Sequence, residues 1–148
     1  MNKNYRSGRH VVYSLHAHVL LTPKYRRKVF SPQVHNVIYH YIQKVCDDHD
    51  VILEEFSTDL DHAHLVISYP PKVCLSTFIG QLKGYSSKMI REEHYDLIKH
   101  MLYGNSFWSP SYFISSTGGV PLEYIKKYVQ DQGREPKTRG NPNFSRWE

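Results

Sequence analysis

The stretch at residues 59–71 limits the possible folds more than any other part of the chain. It reads Asp-Leu-Asp-His-Ala-His-Leu-Val-Ile-Ser-Tyr-Pro-Pro, and its β-branched and aromatic residues favour a strand that Pro70 and Pro71 end. Side chains alternate between the two faces of a strand, which predicts one face with two histidines and an opposite, mostly apolar face. The first face contains His62, His64, Val66 and Ser68, and the second contains Ala63, Leu65, Ile67 and Tyr69.

Two imidazoles two residues apart on a rigid strand, His62 and His64, are well placed to hold one divalent metal ion. The motif is short, and on its own a pair of partly exposed or hydrogen-bonded strand histidines is the simpler explanation. The metal interpretation therefore depends on what the rest of the chain supplies.

The length of 148 residues and the 40% share of hydrophobic residues predict one globular domain with a sizeable core. The sequence contains no apolar run of the ~18 residues that a membrane span needs, and its N-terminus lacks the apolar core of a signal peptide. Cys46 and Cys74 both lie in apolar helical patterns and are interpreted as buried thiols in a reducing compartment. We therefore expect a cytoplasmic protein that does not enter the membrane.

The charge balance and the aromatic content both favour a nucleic acid as partner. Lys and Arg number 19 against 14 Asp and Glu, a net charge of +5, and aromatic residues make up 14% of the chain, including 12 Tyr. Cations pair with phosphates and aromatic rings stack on unpaired bases, so this combination suits single-stranded nucleic acid. The alternative is that many of these tyrosines pack in the core or at an interface.

The periodicity of the chain predicts a β-α-β-β-α-β-α order. This order indicates an α+β, ferredoxin-like (split βαβ) antiparallel sheet with helices on one face, followed by a C-terminal helix that carries tyrosines. We expect residues 1–132 to form one domain and residues 133–148 a tail. The predicted strands are 10–21, 51–58, 62–69 and 107–115, and the predicted helices are 31–49, 73–94 and 120–132.

Two basic segments are candidate DNA contacts. Between Lys24 and Lys28, four cations surround Tyr25 directly after the first strand, as in a phosphate clamp or, alternatively, a solvated loop. Lys83 and Lys88 lie on a basic side of the helix 73–94. The glycine between them, Gly84, is explained either by close approach of a partner or DNA backbone or by tight helix–sheet packing.

A second pair of histidines, His16 and His18, lies in the first strand. It is either a decoy or a neighbour of the first pair, because pairing of the two strands could bring His18 towards the metal.

The last predicted helix contains residues that could complete a catalytic metal site with His62 and His64. Tyr124, Tyr128 and Gln132 follow one another at i+4 spacing and share one stripe of the helix. Two imidazoles and one amide oxygen suit Mg²⁺ or Mn²⁺ with positions left open for a phosphate, and a tyrosine phenolate could attack that phosphate. A phosphotyrosyl intermediate conserves the bond energy, so strands could be rejoined without ATP.

These motifs together resemble one known family. His62-Ala63-His64 followed by Pro-Pro is similar to the HUH motif of the HUH nucleases, and residues 24–28 (Lys-Tyr-Arg-Arg-Lys) are similar to their basic motif. Residues 108–113 (Trp-Ser-Pro-Ser-Tyr-Phe) and 116–119 (Ser-Thr-Gly-Gly) resemble the segment before the catalytic helix, and residues 128–132 (Tyr-Val-Gln-Asp-Gln) resemble the Y-x-x-x-Q tyrosine motif. From about residue 10 to 132, the chain resembles the single-tyrosine transposases of insertion-sequence-200-like elements.

The resemblance implies a role for each matched residue. His62, His64 and Gln132 would bind Mg²⁺ or Mn²⁺, and Tyr128 would form a 5′-phosphotyrosine bond and free a 3′-OH. The substrate would be single-stranded DNA with imperfect hairpins near the element ends. Members of the family act as homodimers in which the tyrosine helix can meet the HUH strand of the other subunit, and Gly118 and Gly119 would form the hinge. Lys24, Tyr25, Arg26, Arg27, Lys28, Lys83 and Lys88 are the predicted DNA-binding residues.

Several alternatives remain open from the sequence. Tyr124 is the rival nucleophile, although the residue one turn after it is Tyr128 rather than a ligand. The chemistry also fits a domesticated endonuclease that acts on palindromes, or a replication or conjugation initiator. A nucleic-acid-binding domain without activity is a further class. A histidine-triad hydrolase would need a histidine at position 66, where the chain has Val66.

Overall fold

A four-stranded antiparallel sheet is the centre of the fold in a computed structural model, which describes residues 5–101 and 106–116. The sheet has the order β4-β5-β3-β6, and a separate two-stranded ribbon precedes it. The strands are β1 (Arg6–Ser7), β2 (Val12–Tyr13), β3 (His16–Leu21), β4 (Ile52–Asp59), β5 (His62–Ser68) and β6 (Phe113–Ser116). The helices are α1 (Pro32–Asp48), α2 (Leu75–Glu93) and the short α3 (Tyr95–Ile98), with 3₁₀ turns at Lys24–Arg26 and Lys99–Met101.

The order β3-α1-β4-β5-α2-β6 is the β-α-β-β-α-β arrangement predicted from the sequence. Helices α1 and α2 bury their apolar stripes in one cluster with the inner faces of β3 and β5, so both helices cover the same side of the sheet. The α+β, ferredoxin-like prediction is therefore confirmed for the part of the chain that the structure describes.

Local chemistry explains where α1 begins. The Oγ atom of Ser31 accepts a hydrogen bond from the Val34 backbone N–H at 3.2 Å, and Pro32 occupies the first helical position. The fully buried residues that α1 contributes include Ile38, Ile42 and Cys46, which are 0% exposed. Spacings of four residues place them on one side of the helix, as the periodicity predicted.

Strand β5 is central, with β4 on one side and β3 on the other, both antiparallel. Its predicted alternation is present: Ala63, Leu65 and Ile67 are 0% exposed and point into the core. His64 is opposite Ser57 of β4 and Leu20 of β3, so strands on both sides hold it in register.

Two predicted strands are longer than the observed ones. The segment 10–21 divides into β2 and β3, because β2 turns away from the central sheet to pair with β1. The chain is back beside β5 at Leu15, whose carbonyl accepts a hydrogen bond from the Tyr69 N–H at 3.0 Å. The predicted strand 107–115 begins only at β6. Phe107 and Trp108 are both buried, which breaks the alternation of a half-buried strand, and Pro110 has no N–H for a ladder.

The structure corrects the prediction for Cys74 and decides against one of the two explanations for Gly84. Cys46 is buried as predicted, but Cys74 is exposed, because it lies at the N-terminal boundary of α2 before the apolar stripe begins. Gly84 is exposed, and apart from its chain neighbours and its own helix backbone no described atom lies within 4 Å of a Cβ built on it. Tight helix–sheet packing therefore does not explain this glycine.

The C-terminal predictions lie outside the described residues. They are the helix 120–132 with Tyr124, Tyr128 and Gln132, the hinge at Gly118 and Gly119, and the tail 133–148. No helix within the described ranges is long and apolar enough to cross a membrane.

Candidate functional site

The two histidines of β5 lie on the sheet face opposite the helices. His62 and His64 alternate with the fully buried Ala63 and Leu65, so both imidazoles project from the same side of the strand. Their side chains are 24% and 15% exposed, respectively, so both rings remain partly accessible. The central strand therefore presents both rings from a rigid backbone.

A carboxylate and a guanidinium extend the site from His62 towards the basic loop. The Oδ1 atom of Asp61 lies 3.1 Å from Nδ1 of His62, and its Oδ2 atom lies 2.6 Å from Nε of Arg26. Burial acts to raise the pKa of the Asp61 carboxyl, but the hydrogen bonds from His62 and Arg26 outweigh burial and hold that pKa below its ordinary value. Asp61 is therefore an ionised acceptor at neutral pH.

His64 has a different environment. Its Nε2 atom lies 3.0 Å from Nδ1 of His18, and the two rings are stacked with centroids 5.2 Å apart. Burial lowers the pKa of His64, the neighbouring His18 lowers it further, and Glu55, whose Oε2 lies 3.9 Å from Nδ1, partly opposes this. A neutral imidazole keeps one nitrogen lone pair, which is the form that binds metals. The second histidine pair therefore includes a neighbour of the first, through His18.

The described part of the chain contains two of the three predicted metal ligands, His62 and His64. Within residues 5–101 and 106–116, no group of three or more His, Cys, Asp or Glu side chains is arranged to hold a metal. His62 and His64 nevertheless fit as a pair, since Asp61 accepts from Nδ1 of His62 and so, in the neutral ring, the lone pair is on Nε2. The predicted third ligand, Gln132, lies outside the described residues.

The basic loop after β3 is anchored at both ends and exposed in the middle. The Lys24 N–H donates to the Phe107 carbonyl at 2.9 Å, and the Phe30 N–H donates to the Leu60 carbonyl at 3.1 Å. Between these anchors Tyr25 is 69% exposed, with the Lys24 ammonium 5.7 Å from its ring centroid. An exposed ring beside a cation is the combination that binds unpaired bases and phosphates.

The remaining predicted DNA-binding residues differ in exposure. Lys28 is exposed, whereas Arg26 and Arg27 are partly buried, and Arg26 is engaged by Asp61. Lys88 is exposed, with its Nζ 3.8 Å from Oε2 of Glu92.

Lys83 has contacts within the fold. Its Nζ donates to the carbonyls of Ser109, Pro110 and Ser111 at 2.6, 3.2 and 3.2 Å, so it holds the segment before β6. Burial lowers the pKa of Lys83 to about 8. Binding of DNA by Lys83 stays a prediction.

The sequence reasoning missed Asp61 as part of the site. The signal was present, because an aspartate directly precedes the His62-Ala63-His64 motif and a cluster of arginines lies in the loop. The sequence could not show that Asp61 contacts Arg26, 35 residues earlier, because this contact requires the turn before β5 to lie against the loop after β3.

Comparison with known proteins places this geometry in a family. The chain matches the family described as "Transposase IS200 like" over residues 11–132. It is 31% identical over 132 residues to the transposase for insertion sequence element IS200 of Salmonella typhimurium, covering 89% of this chain and 86% of that protein. It is 28% identical over 127 residues to the ISDra2 transposase TnpA of Deinococcus radiodurans, covering 86% of this chain and 90% of that one.

Solved structures agree in fold. A crystal structure of a Deinococcus radiodurans R1 protein assigned as a transposase superimposes with a TM-score of 0.78 at 24% identity, over 88% of this chain and 99% of that one. A REP-associated tyrosine transposase bound to a REP hairpin gives a TM-score of 0.54 at 13% identity, over 84% of this chain and 67% of that one. The chain therefore belongs to the family of IS200-like transposases.

Proposed function

We propose that this transposase cleaves and rejoins single-stranded DNA at hairpin-bearing element ends through a 5′-phosphotyrosine intermediate. The observation that carries the proposal is the pair formed by His62 and His64, which project together from the central strand beside the basic loop. A neutral His64 has a nitrogen lone pair for a metal, and in the neutral form of His62 the contact of Nδ1 with Asp61 leaves the lone pair on Nε2.

Tyr128 is the proposed nucleophile. Its phenolate oxygen forms a bond to the scissile phosphorus, the bond from phosphorus to the 3′ oxygen breaks, and the departing oxygen takes up a proton to become a 3′-OH. In the rejoining step, a 3′-OH attacks the phosphotyrosine and releases Tyr128. Mg²⁺ or Mn²⁺ held by His62, His64 and Gln132 would polarise the scissile phosphate.

The loop at residues 24–28 is the proposed contact for the single strand. Lys24 and the exposed Lys28 would pair with phosphates, and the exposed ring of Tyr25 would stack on an unpaired base. A REP hairpin bound to a structural neighbour supports hairpin DNA as the partner. The active protein would be a homodimer in which Gly118 and Gly119 let the tyrosine helix meet the metal ligands of either subunit.

The test uses the full-length protein and both strands of the DNA that flanks its gene, as labelled oligonucleotides with Mg²⁺ or Mn²⁺. We expect a covalent protein–DNA adduct on denaturing gels from one strand only, and its loss on addition of a chelator. Tyr128→Phe should abolish the adduct but keep hairpin binding, and the matched variant Tyr124→Phe should keep both.

Three results would contradict parts of this proposal. An adduct from Tyr128→Phe together with none from Tyr124→Phe would reverse the assignment of the nucleophile. Equal cleavage of blunt duplex DNA would refute the single-strand specificity. Cleavage that is undiminished by a chelator would refute the metal requirement.

A further inference from the structure

We propose that Asp61 is a positioning residue that orients His62 for metal binding and couples it to the basic loop through Arg26. The metal part of this inference rests on the proposed function, in which His62 is a ligand. The geometry of the carboxylate itself does not depend on it.

Each oxygen of the Asp61 carboxylate has one partner. Oδ1 lies 3.1 Å from Nδ1 of His62 and Oδ2 lies 2.6 Å from Nε of Arg26. An ionised carboxylate can only accept hydrogen bonds, so Nδ1 of His62 must carry the proton. The neutral ring is thereby held as the tautomer whose lone pair is on Nε2, the nitrogen that does not face Asp61.

Burial makes the arrangement specific. The side chains of Asp61, His62 and Arg26 are 15%, 24% and 28% exposed, so the three partners are partly shielded from water. An exposed ion pair would contribute little. Here the guanidinium compensates the charge of a carboxylate that is itself needed to orient the imidazole.

The loop depends on the same carboxylate. Tyr25 and Arg26 have φ angles of 59° and 50°, in the left-handed region that residues other than glycine seldom occupy. Such a conformation persists only where its surroundings enforce it. The Arg26–Asp61 pair and the hydrogen bond from the Phe30 N–H to the Leu60 carbonyl hold this loop against the turn between β4 and β5. The loop that presents Tyr25 is therefore fixed relative to His62.

A purely structural ion pair is the competing explanation, and it predicts different measurements. If Asp61 only stabilised the turn, its removal would lower stability without changing the protonated nitrogen of His62. If Asp61 positions the ring, its removal changes the tautomer and weakens metal binding. Both properties can be measured without DNA and without cleavage.

The experiment uses full-length Asp61→Ala, with Asp61→Asn as a second variant that keeps the side-chain size. Long-range ¹⁵N–¹H NMR spectra of the metal-free protein report the His62 tautomer, and Mn²⁺ titration followed by electron paramagnetic resonance reports metal affinity. We expect wild-type His62 to be protonated on Nδ1. Asp61→Ala should lose this preference and bind Mn²⁺ about 10–100-fold more weakly.

Glu54→Gln is the matched control. Glu54 Oε1 lies 2.9 Å from Nδ1 of His16, a carboxylate–imidazole contact of the same kind at the far end of β3. Replacement of the Glu54 carboxylate by the neutral amide of glutamine should leave Mn²⁺ affinity within about twofold of the wild type. Arg26→Leu should weaken Mn²⁺ binding less than Asp61→Ala, because the Asp61–His62 contact survives in that variant.

The inference is overturned if wild-type His62 is protonated on Nε2, or if Asp61→Ala binds Mn²⁺ within about twofold of the wild type. Should Asp61→Ala fail to fold, the same criteria apply to Asp61→Asn, which has one acceptor oxygen for two donors. Failure of the wild type to bind Mn²⁺ would refute the proposed metal site and the metal part of this inference. The His62 tautomer in Asp61→Ala would then decide whether Asp61 orients the ring.

Discussion

The contact between Ser86 and Trp108 allows a stability prediction with a worked magnitude. Nε1 of Trp108 donates to Oγ of Ser86 at 2.9 Å, and the same hydroxyl donates to the Leu82 carbonyl at 2.7 Å. Ser86 is 0% exposed and Trp108 is 6% exposed. Ser86→Ala therefore leaves a buried indole N–H without its acceptor.

The expected loss of stability follows from two opposing terms. An unsatisfied buried donor costs about 1–3 kcal/mol. Replacing serine by alanine within a helix stabilises the folded state by about 0.5 kcal/mol, because alanine has the higher helix propensity. The net loss for Ser86→Ala should be about 1.5 kcal/mol, which for a chain of this size lowers Tm by roughly 3–6 °C.

Urea unfolding followed by circular dichroism measures this loss, and Ser87→Ala is the matched control. Ser87 is next in α2 and lies outside the buried network with Trp108, so its replacement should change stability by less than about 0.5 kcal/mol. A double-mutant cycle with Trp108→Phe should give a coupling energy of about 1–2 kcal/mol. Equal stabilities for Ser86→Ala and Ser87→Ala, or a coupling near zero, would refute the reasoning.

Two further predictions concern groups with shifted pKa values. Lys83→Met should lower stability by about 1–2 kcal/mol in urea melts, because the carbonyls of Ser109, Pro110 and Ser111 lose the donor that they share. The exposed Lys88→Met should change stability little. Burial lowers the folded-state pKa of Lys83 to about 8 from 10.5, so the unfolded state binds more protons between these values. The stability of the wild type relative to Lys83→Met should therefore rise as pH increases from 8 to 10.5. If Lys83→Met instead bound single-stranded DNA more weakly at unchanged stability, that result would favour the DNA contact predicted from the sequence. Cys74 is exposed with a pKa lowered to about 7 by hydrogen bonds from Ser76 and Thr77, whereas burial raises the pKa of Cys46 to about 12. Iodoacetamide should thus modify Cys74 rapidly and Cys46 only on unfolding, and a fast phase that persists in Cys74→Ser would contradict this assignment.

The framework of the fold was predictable because it depends on local periodicity. The alternation along β5 assigned Ala63 and Leu65 to the core and His62 and His64 to the opposite face, and the spacing of apolar residues located α1 and α2. The predictions failed where burial does not follow a period. Phe107 and Trp108 are adjacent and both buried, so a segment that resembled a strand is instead a loop, partly buried, ahead of β6.

The site was predictable only as separate parts. The His62-Ala63-His64 motif and the basic run were recognisable one by one, but the sequence left His18 as either a decoy or a neighbour. Antiparallel pairing of β3 with β5 places His18 diagonally from His64, with Nδ1 of His18 3.0 Å from Nε2 of His64, although 46 residues separate them. A contact of this kind depends on strand register, which neighbouring residues in the sequence do not reveal.

By itself, the sequence determined the order of the elements, the face on which the two histidines lie and the family to which the chain belongs, because each follows from side-chain identity at short spacing. Only the tertiary structure decided which groups surround those histidines. Asp61 joins His62 to Arg26, and Lys83, one of the predicted DNA contacts, donates to the carbonyls ahead of β6. The Arg26–Asp61 and Lys83–Ser109 contacts join residues 35 and 26 positions apart, and they form only when loop packing brings distant segments together.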